Sequence, residues 1–255
     1  MASRAKGKLP PDQLAKLKKA VGAAFRNPPT IGVIGVSGVG KSSTINAMFK
    51  TNLPISHTVA CTKEFQAIDL STEIRDHGAA HGKPAVLRIV DAPGLGEDVR
   101  KDSDYLDMYN RYLEHCDVIL WVASARNRGL ALDQQYLLEL KKYHNKIVFG
   151  INQIELVEPM NWSRINMPSV EQEKNLQIIY EDRRDRIQSV LDVPVVLSLY
   201  SAHKGYNLQE LFTQLIESCN TERAWMFGAI KSFNPDDFIP AEYRDAVRKA
   251  TDRQQ

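Results

Sequence analysis

The sequence is poor in the features that mark secreted, membrane-spanning or nucleic-acid-binding proteins. Its three cysteines, Cys61, Cys116 and Cys219, are an odd number at wide spacing, which argues against a disulfide framework and a zinc site. No stretch approaches the roughly 20 apolar residues of a transmembrane helix, and the N-terminal residues contain no apolar segment followed by a cleavage site. With 33 basic and 31 acidic residues, the net charge of +2 favours neither nucleic acid nor an anionic membrane as a partner. These absences favour a globular protein of a reducing compartment, and we predict a cytoplasmic location.

Short apolar runs alternate with longer amphipathic ones along the chain, without an internal repeat. The apolar runs predict strands at Thr30 to Val36, Phe65 to Ser71, Ala85 to Val90, Val118 to Ala123, Lys146 to Ile151 and Pro194 to Ser198. Several of these runs lack polar alternation, as strands buried on both faces of a parallel sheet do. Helices are predicted to begin near Lys41, Ser103, Leu132, Val170 and Leu208. We therefore predict a three-layer α/β fold with a mostly parallel, six-stranded sheet.

Two terminal segments lie outside this alternation. Residues 11 to 26 place Leu14, Leu17, Val21 and Phe25 on one helical face. We interpret them as a helix packed on the domain, and a membrane-surface or partner helix remains the alternative. Residues 220 to 255 are aromatic-rich and interrupted by prolines. The predicted organisation is an N-terminal helical extension at 1–29, a central domain at 30–219 and a C-terminal extension at 220–255.

A glycine-rich loop between the first strand and the first helix is the strongest motif. Its sequence GVSGVGKS matches the pattern G-x-x-x-x-G-K-[ST], in which backbone N–H groups and a helix N-terminus surround phosphate oxygens. Lys41 is predicted to contact the β- and γ-phosphates, and the Ser42 hydroxyl to ligate Mg²⁺. The predicted phosphate-binding residues are Gly35, Ser37, Gly38, Val39, Gly40, Lys41, Ser42 and Ser43. By itself the loop indicates a nucleoside triphosphate without separating GTP from ATP.

The tetrapeptide DAPG follows the third predicted strand directly. Asp91 at the end of that strand is predicted to hold Mg²⁺ through a water molecule, and the Gly94 N–H to donate to the γ-phosphate. Before the second strand, Thr62 is predicted to close over the metal with its hydroxyl while the γ-phosphate is present, with Thr58 as the alternative. The predicted metal ligands are therefore Ser42, Thr62 and Asp91.

Two further motifs follow the fifth and sixth strands. Asn152, Gln153 and Glu155 occupy the place of a guanine-reading N-K-x-D sequence, where a carboxylate accepts from guanine N1–H and the 2-amino group. Glu155 is one methylene longer than Asp, and Gln153 lacks the charge of Lys, so either difference could weaken guanine selectivity. Ser201, Ala202 and His203 match a loop whose backbone N–H reaches guanine O6.

Together, GVSGVGKS, Thr62, DAPG, NQIE and SAH resemble the five G motifs of the translation-factor-related GTPases, and look closest to Era-like stand-alone prokaryotic GTPases. The run GVGKSSTIN also resembles the P-loops of septin, chloroplast-import-receptor and immunity-associated GTPases, some of which dimerise across the nucleotide face. The resemblance covers residues 30 to 219. It implies a P-loop G domain that binds GTP and GDP with Mg²⁺ and hydrolyses GTP slowly as a molecular switch.

Residues expected to act in hydrolysis are Lys41, Thr62 and Gly94. Leu95 follows Gly94 where Ras-like proteins place a water-orienting glutamine, so we expect slow intrinsic hydrolysis. Gly38 stands where potassium-activated relatives carry Asn, which disfavours potassium activation. A second copy of the chain, an activating protein, or the second-switch residues Glu97 and Arg100 remain the possible sources of water positioning. Arg126 and Arg128, after the fourth strand, are the candidates for an arginine finger.

Two other function classes remain as alternatives. A P-loop kinase of a small metabolite would share the phosphate loop, but would have no use for DAPG, NQIE and SAH at successive strand ends. A nucleotide-loaded assembly or scaffold protein that barely hydrolyses GTP would explain Leu95 equally well. The sequence does not indicate the biological process, since one fold hosts many functions.

Overall fold

The computed structural model describes residues 28–55, 65–72, 85–96, 102–127 and 130–219. Its centre is a six-stranded sheet of order β2-β3-β1-β4-β5-β6, in which β2 is antiparallel to β3 and the other pairings are parallel. The strands are β1 Thr30–Ile34, β2 Gln66–Thr72, β3 Ala85–Asp91, β4 Val118–Ser124, β5 Ile147–Asn152 and β6 Leu197–Leu199. The prediction of a mostly parallel, six-stranded α/β sheet is confirmed.

In the described residues, four α-helices lie between strands and a fifth follows β6: α1 Lys41–Phe49, α2 Asp102–Leu113, α3 Ala131–Glu139, α4 Val170–Leu191 and α5 Leu208–Glu217. Two 3₁₀ helices, Lys141–Lys146 and Ile154–Leu156, precede and follow β5. The start of α4 has a local cause, because Ser169 and Gln172 form a reciprocal capping box. None of these helices is long and apolar enough to cross a membrane.

Neighbouring residues of β4 show how the helices cover both faces of the sheet. The side chains of Leu120 and of Leu211 on α5 both lie next to Gly150, on one face of the sheet. Trp121, the next residue, points to the other face, where its indole N–H donates to Asp133 of α3 at 3.0 Å. Every residue of β4 is buried, so the apolar run in the sequence reflects burial from both sides. The sheet is therefore the middle of three layers.

The first and last strands are shorter than predicted. β1 ends at Ile34 because Gly35 takes a φ of 142°, and Val36 only forms an isolated bridge with Leu95. β6 begins at Leu197 instead of Pro194, since proline has no N–H to donate and β6 pairs only with β5. The predicted helix at 11–26 and the extension at 220–255 lie outside the described residues. The domain boundaries at 29/30 and 219/220 stay predictions.

Candidate nucleotide-binding site

The glycine-rich loop takes its shape from the sheet and from the loop after β5. A Cβ atom on Gly35 would stand 2.1 Å from the carbonyl oxygen of Val122, so this position accepts only glycine. Gly40 has a φ of 90°, and a Cβ there would meet the side-chain amide of Asn152 at 2.5 Å. Gly38, by contrast, faces open space. The loop is thus packed at its two ends and open in the middle, where a phosphate group would bind.

Helix α1 begins directly after this loop with its first N–H groups uncapped by any side chain. Lys41 is buried, and its ammonium group donates to the carbonyl oxygens of Gly35 and Val36 at 3.1 and 3.2 Å. The helix N-terminus and a buried ammonium therefore supply positive charge at one place. This arrangement fits a phosphate chain, which needs several donors that converge at short range.

Ser42 and Asp91, predicted as metal ligands, are brought into direct contact. The Ser42 hydroxyl donates to Asp91 Oδ2 at 2.9 Å, and Asp91 is buried at the end of β3. Hydroxyl and carboxylate oxygens are ligands that Mg²⁺ prefers, and this ion usually completes its octahedron with waters and nucleotide phosphates. Within the described ranges, no group of three His, Cys, Asp or Glu side chains could hold a metal by itself. The two oxygens fit a magnesium ion that shares its ligands with a bound nucleotide.

Leu95 packs into the core behind the glycine-rich loop. Its N–H donates to Gly35 O at 3.2 Å, and its carbonyl accepts from the Ser37 N–H at 3.3 Å. The Leu95 side chain is 1% exposed. The Ser37 N–H is thereby engaged by Leu95, and its role in phosphate binding stays a prediction. Leu95 therefore holds the DAPG segment against the loop with its backbone, while its side chain is buried in the core.

Asn152 joins the loops that were predicted to read the base. Its amide nitrogen donates to Val39 O at 3.0 Å, and its amide oxygen accepts from the Ala202 N–H at 3.0 Å. The side chain is 2% exposed. Asn152 thus ties the phosphate loop to the Ser201–His203 loop, and the Ala202 N–H is occupied by this contact. In this geometry Asn152 positions the loops that were predicted to read the base.

Gln153 makes a second link to the phosphate loop. It adopts a left-handed conformation with a φ of 64°, accepts from the Ser124 hydroxyl at 2.6 Å and donates to Gly38 O at 3.2 Å. The neutral amide therefore bridges the end of β4 to the exposed glycine of the loop. Its lack of charge, noted in the sequence, is compatible with this bridging role.

Glu155 lies in the 3₁₀ helix that follows β5 and is 8% exposed. Its Oε2 atom is buried and has no hydrogen-bond partner in the part of the chain that the structure describes. A buried carboxylate oxygen without a donor costs free energy, which a ligand that offers N–H groups would recover. Nearby, Ser201 is fully buried and accepts from the Lys204 N–H, whereas His203 is exposed. Glu155 is thus the base-reading candidate with an available buried oxygen.

One contact at the site has no motif that could have predicted it. Thr44, on the first turn of α1, shares a hydrogen bond of 2.8 Å with the hydroxyl of Tyr200, which directly precedes Ser201. Tyr200 is fully buried, and this burial raises the pKa of its hydroxyl. The pair fastens the phosphate-binding helix to the end of β6. The sequence signal is limited to a tyrosine that directly follows a short apolar strand.

Several predicted residues lie outside the described ranges. They are Thr58, Thr62, Glu97, Arg100 and Arg128. Arg126 is described: its backbone N–H donates to the Ser124 hydroxyl at 3.2 Å, and the residue is exposed. The roles given to these residues stay predictions.

Several known proteins that are similar to this chain are GTPases. Residues 30–153 match a family described as 50S ribosome-binding GTPase. YfjP of Escherichia coli K12, called uncharacterized, is 34% identical over 151 residues, which are 58% of this chain and 48% of YfjP. The chain therefore spans about half the length of this curated relative.

Two solved structures share the fold. Era in complex with MgGDPNP and nucleotides of 16S ribosomal RNA superposes with a TM-score of 0.55 at 22% identity, over 75% of this chain and 57% of Era. A second structure comes from work on the chloroplast translocon components atToc33 and psToc159, whose dimerization is described as important for their GTPase activity. It superposes with a TM-score of 0.56 at 16% identity, over 88% of this chain and 93% of the solved chain. Residues 30–153 are thus similar in sequence to a GTPase family, and the chain shares the fold of these two solved GTPase structures.

Proposed function

We propose that this protein binds GTP and GDP with Mg²⁺ and hydrolyses GTP slowly, as a switch between two conformations. The observation that carries the choice of guanine is the Glu155 Oε2 atom, which is buried and lacks a donor among the described residues. Guanine offers two N–H donors, N1–H and the 2-amino group, on one edge, whereas adenine offers neither in that arrangement. Asn152 ties the Glu155 loop to the phosphate loop, which supports one ligand that spans both.

The phosphate and metal roles follow from the contacts at the sheet edge. Lys41 would exchange its bonds to loop carbonyls for bonds to the β- and γ-phosphates, and Ser42 with Asp91 would hold Mg²⁺. The ion would neutralise charge that develops on the phosphate oxygens. Thr62 and Gly94 remain our candidates for sensing the γ-phosphate, and Gly94 lies buried beside the loop.

The expected rate is low because Leu95 is buried and offers no polar group to a water molecule. A missing water-positioning group or arginine finger reduces the rate by about 10³- to 10⁵-fold. We infer that a second copy of the chain or an activating protein completes the site. The fold shared with atToc33 and psToc159 supports the homodimer as the first arrangement to test. A scaffold protein that binds GTP without hydrolysing it is the second candidate function, and the buried Leu95 favours it too.

The test of guanine recognition is the substitution Glu155→Gln with three nucleotides. Wild type should bind GTP more tightly than ATP or XTP. In the variant, GTP affinity should fall while XTP affinity rises, because an amide can donate to the carbonyl that xanthine has in place of the 2-amino group. The matched control is Glu158→Gln, which changes an exposed acid just after the 3₁₀ helix. This variant should bind all three nucleotides as wild type does. Equal affinity of wild type for GTP and ATP would refute the proposal.

We also propose that the protein works in the cytoplasm. The odd number and wide spacing of its cysteines support a reducing compartment. Burial raises the pKa of the Cys116 thiol to about 12, which keeps this cysteine protonated and unreactive. Fractionation of native cells with an antibody against the chain would test the location, and recovery in a membrane or exported fraction would contradict it.

A further inference from the structure

A buried tyrosine on α2, Tyr109, contacts the DAPG segment. Tyr109 is 0% exposed, and its hydroxyl donates a hydrogen bond to the carbonyl oxygen of Pro93. None of the motifs includes Tyr109, and its distance from Pro93 in the sequence is 16 residues. The contact therefore links helix α2 to the centre of the segment that follows β3.

The ring of Tyr109 on α2 belongs to an aromatic cluster of Phe65, Tyr109 and Tyr112, in which Phe65 contacts both tyrosine rings. Phe65, just before β2, meets the Tyr109 ring edge to face with centroids 5.1 Å apart. Phe65 also stacks on Tyr112, one turn further along α2, at 4.3 Å and an angle of 11°. Such pairs prefer these geometries, and each adds to the packing of a buried ring. The position of the Tyr109 hydroxyl is thus determined by packing on its ring.

The Pro93 carbonyl belongs to the same peptide unit as the Gly94 N–H. A peptide unit is planar, and in the trans form its C=O and N–H bonds point in opposite directions. A hydrogen bond that fixes the Pro93 oxygen therefore also fixes the direction of the Gly94 N–H. In the described residues this N–H makes no hydrogen bond, whereas the next one, on Leu95, donates to Gly35 O at 3.2 Å.

We propose that Tyr109 is a positioning residue for recognition of the γ-phosphate. By holding the Pro93 carbonyl, it aims the Gly94 N–H toward the open side of the phosphate loop. The inference rests on the proposed function, because it concerns how that site distinguishes GTP from GDP. Without the hydroxyl, the orientation of this peptide unit is less tightly fixed, and the cost falls only on a ligand that uses the Gly94 N–H.

The variant Tyr109→Phe removes this hydrogen bond and keeps the ring that packs on Phe65. We expect its affinity for a non-hydrolysable GTP analogue to fall about five- to tenfold, the range that loss of one hydrogen bond produces. Its GDP affinity should stay within about twofold of wild type. A merely structural role would lower both affinities alike, so the ratio of the two affinities is the decisive readout. Calorimetric titration of the full chain with each nucleotide supplies it.

Tyr143→Phe is the matched control. Tyr143 lies outside α2 and is also buried. Its hydroxyl donates to a backbone carbonyl of α2, that of Asn110, at 2.9 Å. In Tyr143→Phe, the ratio of GTP-analogue affinity to GDP affinity should equal that of wild type. A second test variant, Phe65→Leu, weakens the packing on the Tyr109 ring and should shift the ratio in the same direction as Tyr109→Phe, by a smaller factor. Thermal unfolding of all three variants establishes that each is folded at the titration temperature.

The outcomes separate this inference from the proposed function. If wild type binds GTP and Tyr109→Phe keeps the wild-type ratio, or loses GDP and GTP-analogue affinity equally, the positioning role is wrong while the proposed function stands. An equal shift in Tyr143→Phe would also overturn it. Failure of wild type to bind any guanine nucleotide would overturn the proposed function and this inference together.

Discussion

Ser42 donates a hydrogen bond of 2.9 Å to Asp91, although 49 positions separate the two residues in the sequence. If both hold Mg²⁺, Ser42→Ala should raise the Mg²⁺ concentration needed for half-maximal binding of a GTP analogue by about tenfold, the lower end of the effect of losing a metal-supporting group. Asp91→Asn should raise this Mg²⁺ concentration further, because the substitution removes a negative charge. A magnesium titration of the full chain measures this. Ser189→Ala, which removes an exposed hydroxyl from α4, is the control, and a midpoint unchanged in Ser42→Ala would contradict the assignment.

Lys41 is the buried cation of the phosphate loop. We expect Lys41→Ala to reduce GTP binding below detection, since the loop then has no side-chain charge to balance the β- and γ-phosphates. Direct titration with a fluorescent GTP analogue measures the effect. Lys142→Ala, which removes an exposed lysine, should bind as wild type does. Affinity retained by Lys41→Ala would mean that the loop is not a phosphate site.

Asn152 satisfies two buried backbone groups at once. Asn152→Ala leaves Val39 O and the Ala202 N–H without their partner, at a cost of about 1–3 kcal/mol for each group that stays dry. We therefore expect a lower free energy of unfolding without nucleotide, and weaker GDP and GTP binding in equal proportion. Urea unfolding and titrations measure the two effects. Asn175→Ala removes an exposed asparagine with one bond to Glu158 O and should change neither quantity.

Leu95 cannot be converted into a catalytic glutamine by substitution alone. Its side chain is 1% exposed, and its backbone is bonded to Gly35 and Ser37. Leu95→Gln should leave the single-turnover rate of GTP hydrolysis unchanged and lower the free energy of unfolding by about 1–3 kcal/mol, because it buries an amide. Leu138→Gln, at a 59% exposed position on α3, should be neutral. A marked gain in rate for Leu95→Gln would show that the side chain reaches the nucleotide.

Arg126 tests whether a second copy completes the site. If it does, hydrolysis per molecule should rise with protein concentration, and Arg126→Ala should abolish that rise while leaving GTP affinity unchanged. Arg184→Ala, which removes a partly exposed arginine paired with Asp185, is the control. Specific activity that stays flat over a wide concentration range would eliminate self-activation, and an activating protein would then be the remaining source of the group.

Much of the fold could be predicted because its signals are local. Six apolar runs mark the strands, since strands buried on both faces need no polar alternation, and β4 is buried along its whole length. Likewise, Gly35 and Gly40 take conformations or close contacts that only glycine permits, so the phosphate loop is visible as a spacing of glycines. The lengths of β1 and β6 were less predictable, because pairing partners and a proline at the edge decide where a strand ends.

The order of strands and helices and the glycine-rich loop could be predicted, because both depend on residue type and spacing along the chain. The use of individual side chains could not, because it depends on the contacts that the fold creates. Asn152 appears in the sequence as a base reader, yet its amide is taken by Val39 and Ala202 from two other loops. Tyr109 belongs to none of the sequence motifs, yet its hydroxyl donates to the carbonyl oxygen of Pro93. Such roles depend on which distant segments meet, and contacts between distant segments leave no period in the sequence.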